Sequence, residues 1–266
     1  MTQLARARFD EMFASRAHQA LPGLIPYVTA GFPGRDDTVA LLRAAQESGC
    51  IAAEVGIPFS DPLADGPTIQ RAGWRALQNG MTLRLALAQV AAARAAGVTM
   101  PLAAMTYLNP VLAYGISSFT GDAIEAGLDG LIVPDLPADE AAGLRDAVHA
   151  AGLTLIPLVA PTTTDERLER VCAGARGFIY CVSITGVTGA RQSVGADALR
   201  LLERVRAVTA LPRALGFGLS RPEHLRALAG HAEAAVVGSA LLDAIQQSRA
   251  DPAATLRSFA TDLLAG

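Results

Sequence analysis

Eight short apolar runs punctuate the chain, at Leu24 to Val28, Ala52 to Val55, Pro101 to Met105, Gly130 to Val133, Leu153 to Leu158, Phe178 to Val182, Arg213 to Leu215 and Ala234 to Val237. Each has the length of a buried strand. The stretches between them, such as Asp37 to Ser48, Leu83 to Ala96, Ala138 to Ala150 and Ala196 to Val208, are rich in Ala, Leu and Arg and place apolar residues three or four apart, which predicts helices. Glycine stands where a left-handed helix cap is expected, at Ser48-Gly49, Ala96-Gly97, Ala126-Gly127 and Ala151-Gly152. Strands that alternate with helices pair in parallel through right-handed crossovers, and eight such units close most naturally into an α/β (β/α)8 barrel. An open doubly wound sheet is the competing arrangement. Two pieces lie outside the repeat: an extra helix at Leu4 to Ala17, placed to cover the bottom of a barrel, and a second at Ile69 to Gln78 after the second strand.

Composition narrows the class. A hydrophobic fraction of 51% with only 18% charged residues predicts a compact globular protein with many buried strands. At 266 residues an α/β barrel is commonly one domain, so residues 1–266 are expected to form a single barrel. The formal net charge of -3 gives no basic face for nucleic acid and no acidic tail. Cys50, Cys172 and Cys181 have neither a metal-ligand spacing nor an even count, which fits a reducing cytoplasm. Neither a signal peptide nor a membrane span is expected.

In such barrels chemistry occurs where the strands end, so the segments after each apolar run are the places to search. The second run itself holds an acid, Glu54, and continues as Gly56-Ile57-Pro58-Phe59-Ser60-Asp61-Pro62-Leu63-Ala64-Asp65-Gly66-Pro67. Burial raises a carboxyl pKa, making Glu54 a candidate proton carrier; structural pairing with an arginine or a backbone N–H explains a buried acid equally well. Asp61 and Asp65 read either as site residues or as turn formers beside Pro and Gly. Gly216-Phe217-Gly218 and Gly238-Ser239 follow the last two strands, where barrels hold phosphate through backbone amides and the start of a short helix, here Ala240 to Ile245; each glycine alone is equally explained by a tight turn. Thr185 to Gly195 reads as a lid, with an ordinary surface loop as the alternative. His18, His149, His224 and His231 are expected in surface or packing roles, and no spacing suggests a metal.

Taken in order, these motifs resemble the tryptophan synthase α subunit family over nearly the whole chain. The resemblance rests on Pro26-Tyr27-Val28-Thr29-Ala30-Gly31, the run Glu54 to Gln70, Tyr107-Leu108-Asn109-Pro110, Pro134-Asp135-Leu136-Pro137, Gly186-Val187-Thr188-Gly189, Gly216-Phe217-Gly218 and Gly238-Ser239. It implies retro-aldol cleavage of indole-3-glycerol phosphate to indole and glyceraldehyde 3-phosphate. It also implies roles: Glu54 moves protons to indole C3 and from the side-chain hydroxyl, and Asp65 holds the indole N–H. Tyr27, Met105, Ile132, Leu158 and Phe217 form the ring pocket with Tyr107 close by, and Gly189, Gly218, Gly238 and Ser239 take the phosphate. Thr188 fixes Asp65 when the lid closes. Tyr27 and Ile184 stand where some relatives carry phenylalanine and a basic residue. No cofactor is expected in this chain; pyridoxal phosphate is expected in a β-subunit partner, met through Asp61, Asn109 and Pro137 in an α2β2 assembly. The alternatives left open are a non-catalytic phosphate-ligand-binding regulatory subunit and a sugar-phosphate isomerase on the same scaffold.

Overall fold

In the computed structural model, residues 4–138, 140–183, 194–216, 218–248 and 251–265 are described, with the side chains of residues 4–7 left aside. Helix α1 (Leu4–Ser15) precedes β1 (Gly23–Thr29), α2 (Thr38–Glu47), β2 (Ala53–Gly56), α3 (Pro67–Gln78), α4 (Leu83–Ala95), β3 (Leu102–Met105), α5 (Leu108–Tyr114), α6 (Ile116–Ala126) and β4 (Gly130–Ile132). There follow α7 (Ala142–Ala151), β5 (Thr154–Leu155), β6 (Leu158–Val159), α8 (Asp165–Ala173), β7 (Ile179–Val182), α9 (Ala196–Val208), β8 (Arg213–Gly216), α10 (Pro222–Ala227), β9 (Ala234–Val237), α11 (Ser239–Gln247) and α12 (Pro252–Leu264).

All the pairings are parallel, in the order β5-β4-β3-β2-β1-β9-β8-β7-β6. The two ends of that order are pieces of a single stretch. Only Ile156 and Pro157 separate β5 from β6, and both keep the ladder: the Ile156 amide donates to the Leu131 carbonyl at 2.9 Å, and the Pro157 carbonyl accepts from the Tyr180 amide at 3.0 Å. Proline has no amide of its own to donate, so regular pairing breaks there without opening the sheet. The nine strands are therefore eight, closed into a barrel as the alternation predicts. Gly49, Gly97, Gly127 and Gly152 all carry positive φ, between 82° and 98°, as helix ends of this kind require.

The core has two layers. Outward-facing strand residues such as Val28, Val55, Leu131 and Leu215 pack under the helices. Inward-facing ones, including Ile25, Ala103, Ile132, Ile156 and Val236, fill the barrel. Helix α1 closes its N-terminal end. Phe9 and Phe13 meet Phe178 with ring centroids 5.6 and 5.7 Å apart, and Gly130 admits Phe9, whose Cε2 lies 3.0 Å from where a Cβ would stand. Burying such rings contributes about 1.5–3 kcal/mol each. Beside this plug the fully buried Asp129 carboxylate accepts from Arg8 at 2.8 Å, Arg94 at 2.6 Å and the Leu102 amide at 2.8 Å, joining α1, α4 and β3. With that end filled, a substrate has only the opposite end to enter. Among the described residues no helix is long and apolar enough to cross a membrane.

Candidate active site

The register of the first two strands makes Tyr27 and Glu54 neighbours, and both face the barrel interior, on the period of two that strands impose. Glu54 is 1% exposed. Among the described residues neither of its carboxylate oxygens has a hydrogen-bond partner, so the ion-pair explanation of this acid finds no arginine. Burial pushes its carboxyl up to about 8. A carboxylic acid that keeps its proton at neutral pH, in an apolar barrel, is poised to give it away.

Asp65 comes to the same mouth from the segment between β2 and α3. Its amide donates to the Pro62 carbonyl at 3.1 Å, and its carbonyl accepts from the Gln70 side chain at 2.9 Å, so the turn is fastened to the helix that follows. The Tyr107 hydroxyl accepts from the Ala64 amide at 3.0 Å, and its ring lies against Phe59 with centroids 5.6 Å apart. Burial raises the Asp65 carboxyl to about 6, with a hydrogen bond from Tyr107 pulling the other way. Asp65 is thus ionised near neutrality while Glu54 is not. Two carboxyls with separated pKa values are the usual sign of an acid and an anion with different tasks.

Two phenols complete the inner surface. A Cβ on Gly56 would lie 1.9 Å from the Tyr27 hydroxyl, and one on Gly216 would lie 2.4 Å from the Tyr180 hydroxyl. Both glycines are therefore required so that the rings can lie across the strand ends. Burial, with the charges of Glu54 and Asp65, raises both phenols above the ordinary tyrosine value, which keeps them as neutral hydroxyls. Tyr180 was not among the residues singled out from sequence. Its signal was its parity: two positions after Phe178 on an apolar strand, it carries the one polar tip on that inward face.

At the other side of the mouth Gly218 is exposed with φ of 77°. Gly238 precedes Ser239, the first residue of α11, and among the described residues no side chain caps that helix, so its first amides are open to an anion. A Cβ on Gly238 would stand 3.4 Å from the Cβ of Tyr27, which puts the start of α11 directly beside the Tyr27 ring. Ile132 is fully buried in the barrel, and Met105 and Leu158 are half-buried against the same interior cluster. Thr188, Gly189, Phe217 and Ile184, with most of the expected lid, lie outside the described residues. A cleft lined by Leu136, Arg145, Pro157, Leu158 and Val171 includes neither Glu54 nor Asp65 in its lining.

Asp61, Asn109 and Pro137 are exposed, around the same rim as Leu63 and Leu112, which are 91% and 51% exposed. Asp61 does form a turn, its carbonyl accepting from the Leu63 amide at 2.9 Å, and its side chain accepts from Ser60. Asn109 and Pro110 lie in the first turn of α5, where a proline lacks nothing because the amides there have no helical acceptor. Among the histidines, His224 is buried and its Nδ1 accepts from the Ser220 amide at 3.1 Å, and His231 meets Glu203; both hold structure.

Known proteins match this arrangement throughout. The sequence model described as tryptophan synthase alpha chain matches residues 13–263. The tryptophan synthase alpha chain of Roseiflexus castenholzii is 48% identical over 242 residues, 91% of this chain and 93% of that one. That of Carboxydothermus hydrogenoformans is 44% identical over 258 residues, 96% of each. A Mycobacterium tuberculosis tryptophan synthase structure superposes with a TM-score of 0.89 at 40% identity, covering 97% of each chain. The Legionella pneumophila alpha chain superposes with a TM-score of 0.87 at 33% identity, covering 96% of this chain and 95% of that one. A closed barrel with a buried acid at its mouth, matched over nearly its full length at this identity, belongs to the tryptophan synthase alpha chain family, whose members are indole-3-glycerol-phosphate lyases.

Proposed function

We propose that Glu54 and Asp65 divide the work of the retro-aldol cleavage in this chain, and that the single residue range 1–266 holds the whole α site. The observation that carries the reading is the buried Glu54 carboxyl, partnerless among the described residues and raised to about 8, beside an Asp65 raised only to about 6. Protonated Glu54 gives its proton to indole C3. Positive charge then develops at the ring nitrogen, where ionised Asp65 accepts the N–H hydrogen bond and stabilises it. Glu54, now a carboxylate, takes the proton from the side-chain hydroxyl as the carbon–carbon bond breaks, its electrons return to the ring, and indole and glyceraldehyde 3-phosphate separate. The acid ends as it began, so no water, metal or redox partner enters the balance.

Tyr27, Tyr107, Met105, Ile132, Leu158 and Phe217 would enclose the flat ring. Gly189, Gly218, Gly238 and Ser239 would take the phosphate through backbone donors, with the start of α11 supplying favourable partial charge. Thr188 is assigned to hold Asp65. Asp61, Asn109 and Pro137, with the exposed Leu63, would meet a β subunit in an α2β2 complex in the cytoplasm, and pyridoxal phosphate would reside in that partner. The sequence supports that division of labour: all 22 of its Lys and Arg residues are arginine, so no lysine side chain is present to form an imine with the cofactor or with a carbonyl substrate.

The test is indole release from indole-3-glycerol phosphate. Glu54→Gln and Asp65→Asn should each lower turnover by roughly 10² to 10⁴-fold, the range for lost acid–base function. Variants that retain near-normal rates would end this assignment. A chain that binds the substrate but releases no indole, alone or with the β subunit, would restore the non-catalytic reading, which no finding favours.

A further inference from the structure

The reaction leaves one cluster on the rim unexplained. Asp243 lies one turn into α11, the helix that begins at the phosphate end, and Thr68 lies in the first turn of α3, which follows Asp65. The Thr68 hydroxyl lies 3.1 and 3.2 Å from the two Asp243 carboxylate oxygens. Arg71 donates to the Thr68 hydroxyl at 3.0 Å and to Asp243 at 3.2 Å. From the other side of the same helical turn, the Gln70 side chain holds the Asp65 carbonyl at 2.9 Å and the Gln70 amide donates to Gly66 at 3.0 Å. Asp65 and Asp243 are thereby tied to one turn of α3.

The placement of Asp243 is costly on its face. A carboxylate one turn into α11 places a like charge near any anion bound at the start of that helix. Arg71 offsets the charge, but the pair is about half exposed, at 53% and 42% of the side chains, and such pairs contribute little to stability. Fold stability therefore does not account for it.

We propose that Asp243 is a positioning residue that links the phosphate end of the site to Asp65. By gripping Thr68 it sets the first turn of α3, and with it the Asp65 carboxyl, relative to the start of α11. Seating the phosphate and aligning Asp65 then become one event. This rests on the role given above to Asp65.

Thr68→Val removes the donor at nearly constant volume, Asp243→Ala removes the acceptor, and Asp243→Asn keeps an acceptor. In the full chain with its β subunit, Thr68→Val and Asp243→Ala should each lower kcat for indole release by roughly 10-fold, within what small misplacements of a catalytic group cost. KM and the inhibition constant of inorganic phosphate should stay within about threefold, and the double variant should be no slower than the slower single one, as expected for one shared interaction. Asp243→Asn should recover most of the loss. The proposal is overturned if kcat stays within about twofold of the parent in both single variants, if the losses multiply, or if the whole effect falls on KM and phosphate affinity. A parent chain that releases no indole would instead defeat the lyase reading itself, a separate and visible outcome.

Discussion

At the scale of single residues the decisive feature is an acid that the fold does not neutralise. The folded-state pKa of Glu54, about 8, stands well above the roughly 4.3 of an exposed glutamate. A group shifted upward in this way stabilises the fold below its unfolded pKa and loses that contribution as pH rises through the folded value. Between about pH 4.5 and 8 this single residue should therefore make stability fall by about 1.4 kcal/mol per pH unit. Glu54→Gln should flatten that slope, so urea midpoints of parent and variant converge near pH 4 and separate in the variant's favour by pH 8; parallel profiles would show that Glu54 is not the titrating group. The same two values set the rate profile. Asp65 must be ionised and Glu54 protonated, so kcat/KM should rise through about pH 6 and fall through about pH 8, and steady-state rates across pH 5 to 9 check it. Glu54 was legible in the sequence because an acid inside an apolar run breaks the strand pattern. Tyr180 was not, because an aromatic residue on an inward strand position looks the same whether it packs or faces a substrate. The clearances at Gly56 and Gly216 were equally hidden: a glycine beside a strand end reads as a turn until the ring that needs the space is seen.

Among the elements, the strands and their helices were readable because parallel barrel strands are continuously apolar and helix ends such as those at Gly49, Gly97, Gly127 and Gly152 carry a glycine with positive φ. Helix α5 is not among the elements that the periodicity predicts, being only seven residues long, and its first turn holds Pro110, which that position tolerates. Helix α12 drew no attention because nothing chemical marks it. The N-terminal plug was visible as an extra amphipathic helix, but its partner was not, since Phe178 lies 165 residues beyond Phe13. That contact has a measurable weight. Phe178→Ala removes the ring on which Phe9 and Phe13 both rest and should cost about 3–5 kcal/mol in denaturant unfolding, the range for a fully buried phenylalanine. A loss below about 1 kcal/mol would mean that α1 is not a structural plug. Asp129 joins the same end more tightly than an exposed ion pair could, because a buried carboxylate with two arginines leaves uncompensated charge whenever one partner is removed.

For the whole molecule, closure depends on β9, which pairs with β1 on one side and β8 on the other. Deleting residues 231–266 removes that strand together with α11 and α12 and leaves two open edges, each a template for pairing with other chains. The shortened chain should be recovered in aggregates and lack a cooperative melting transition; a soluble monomer that melts cooperatively would show that closure is dispensable. The pairing of the first strand with the last also has a consequence for synthesis. On the ribosome β1 emerges early, yet its partner β9 follows only after about 200 further residues, roughly 10 to 40 s at 5–20 residues per second. Throughout that interval the nascent chain carries an exposed strand edge beside the apolar Leu24, Ile25 and Val28. Its yield in the cell should therefore depend on translation speed and on whatever shields β1 while it waits.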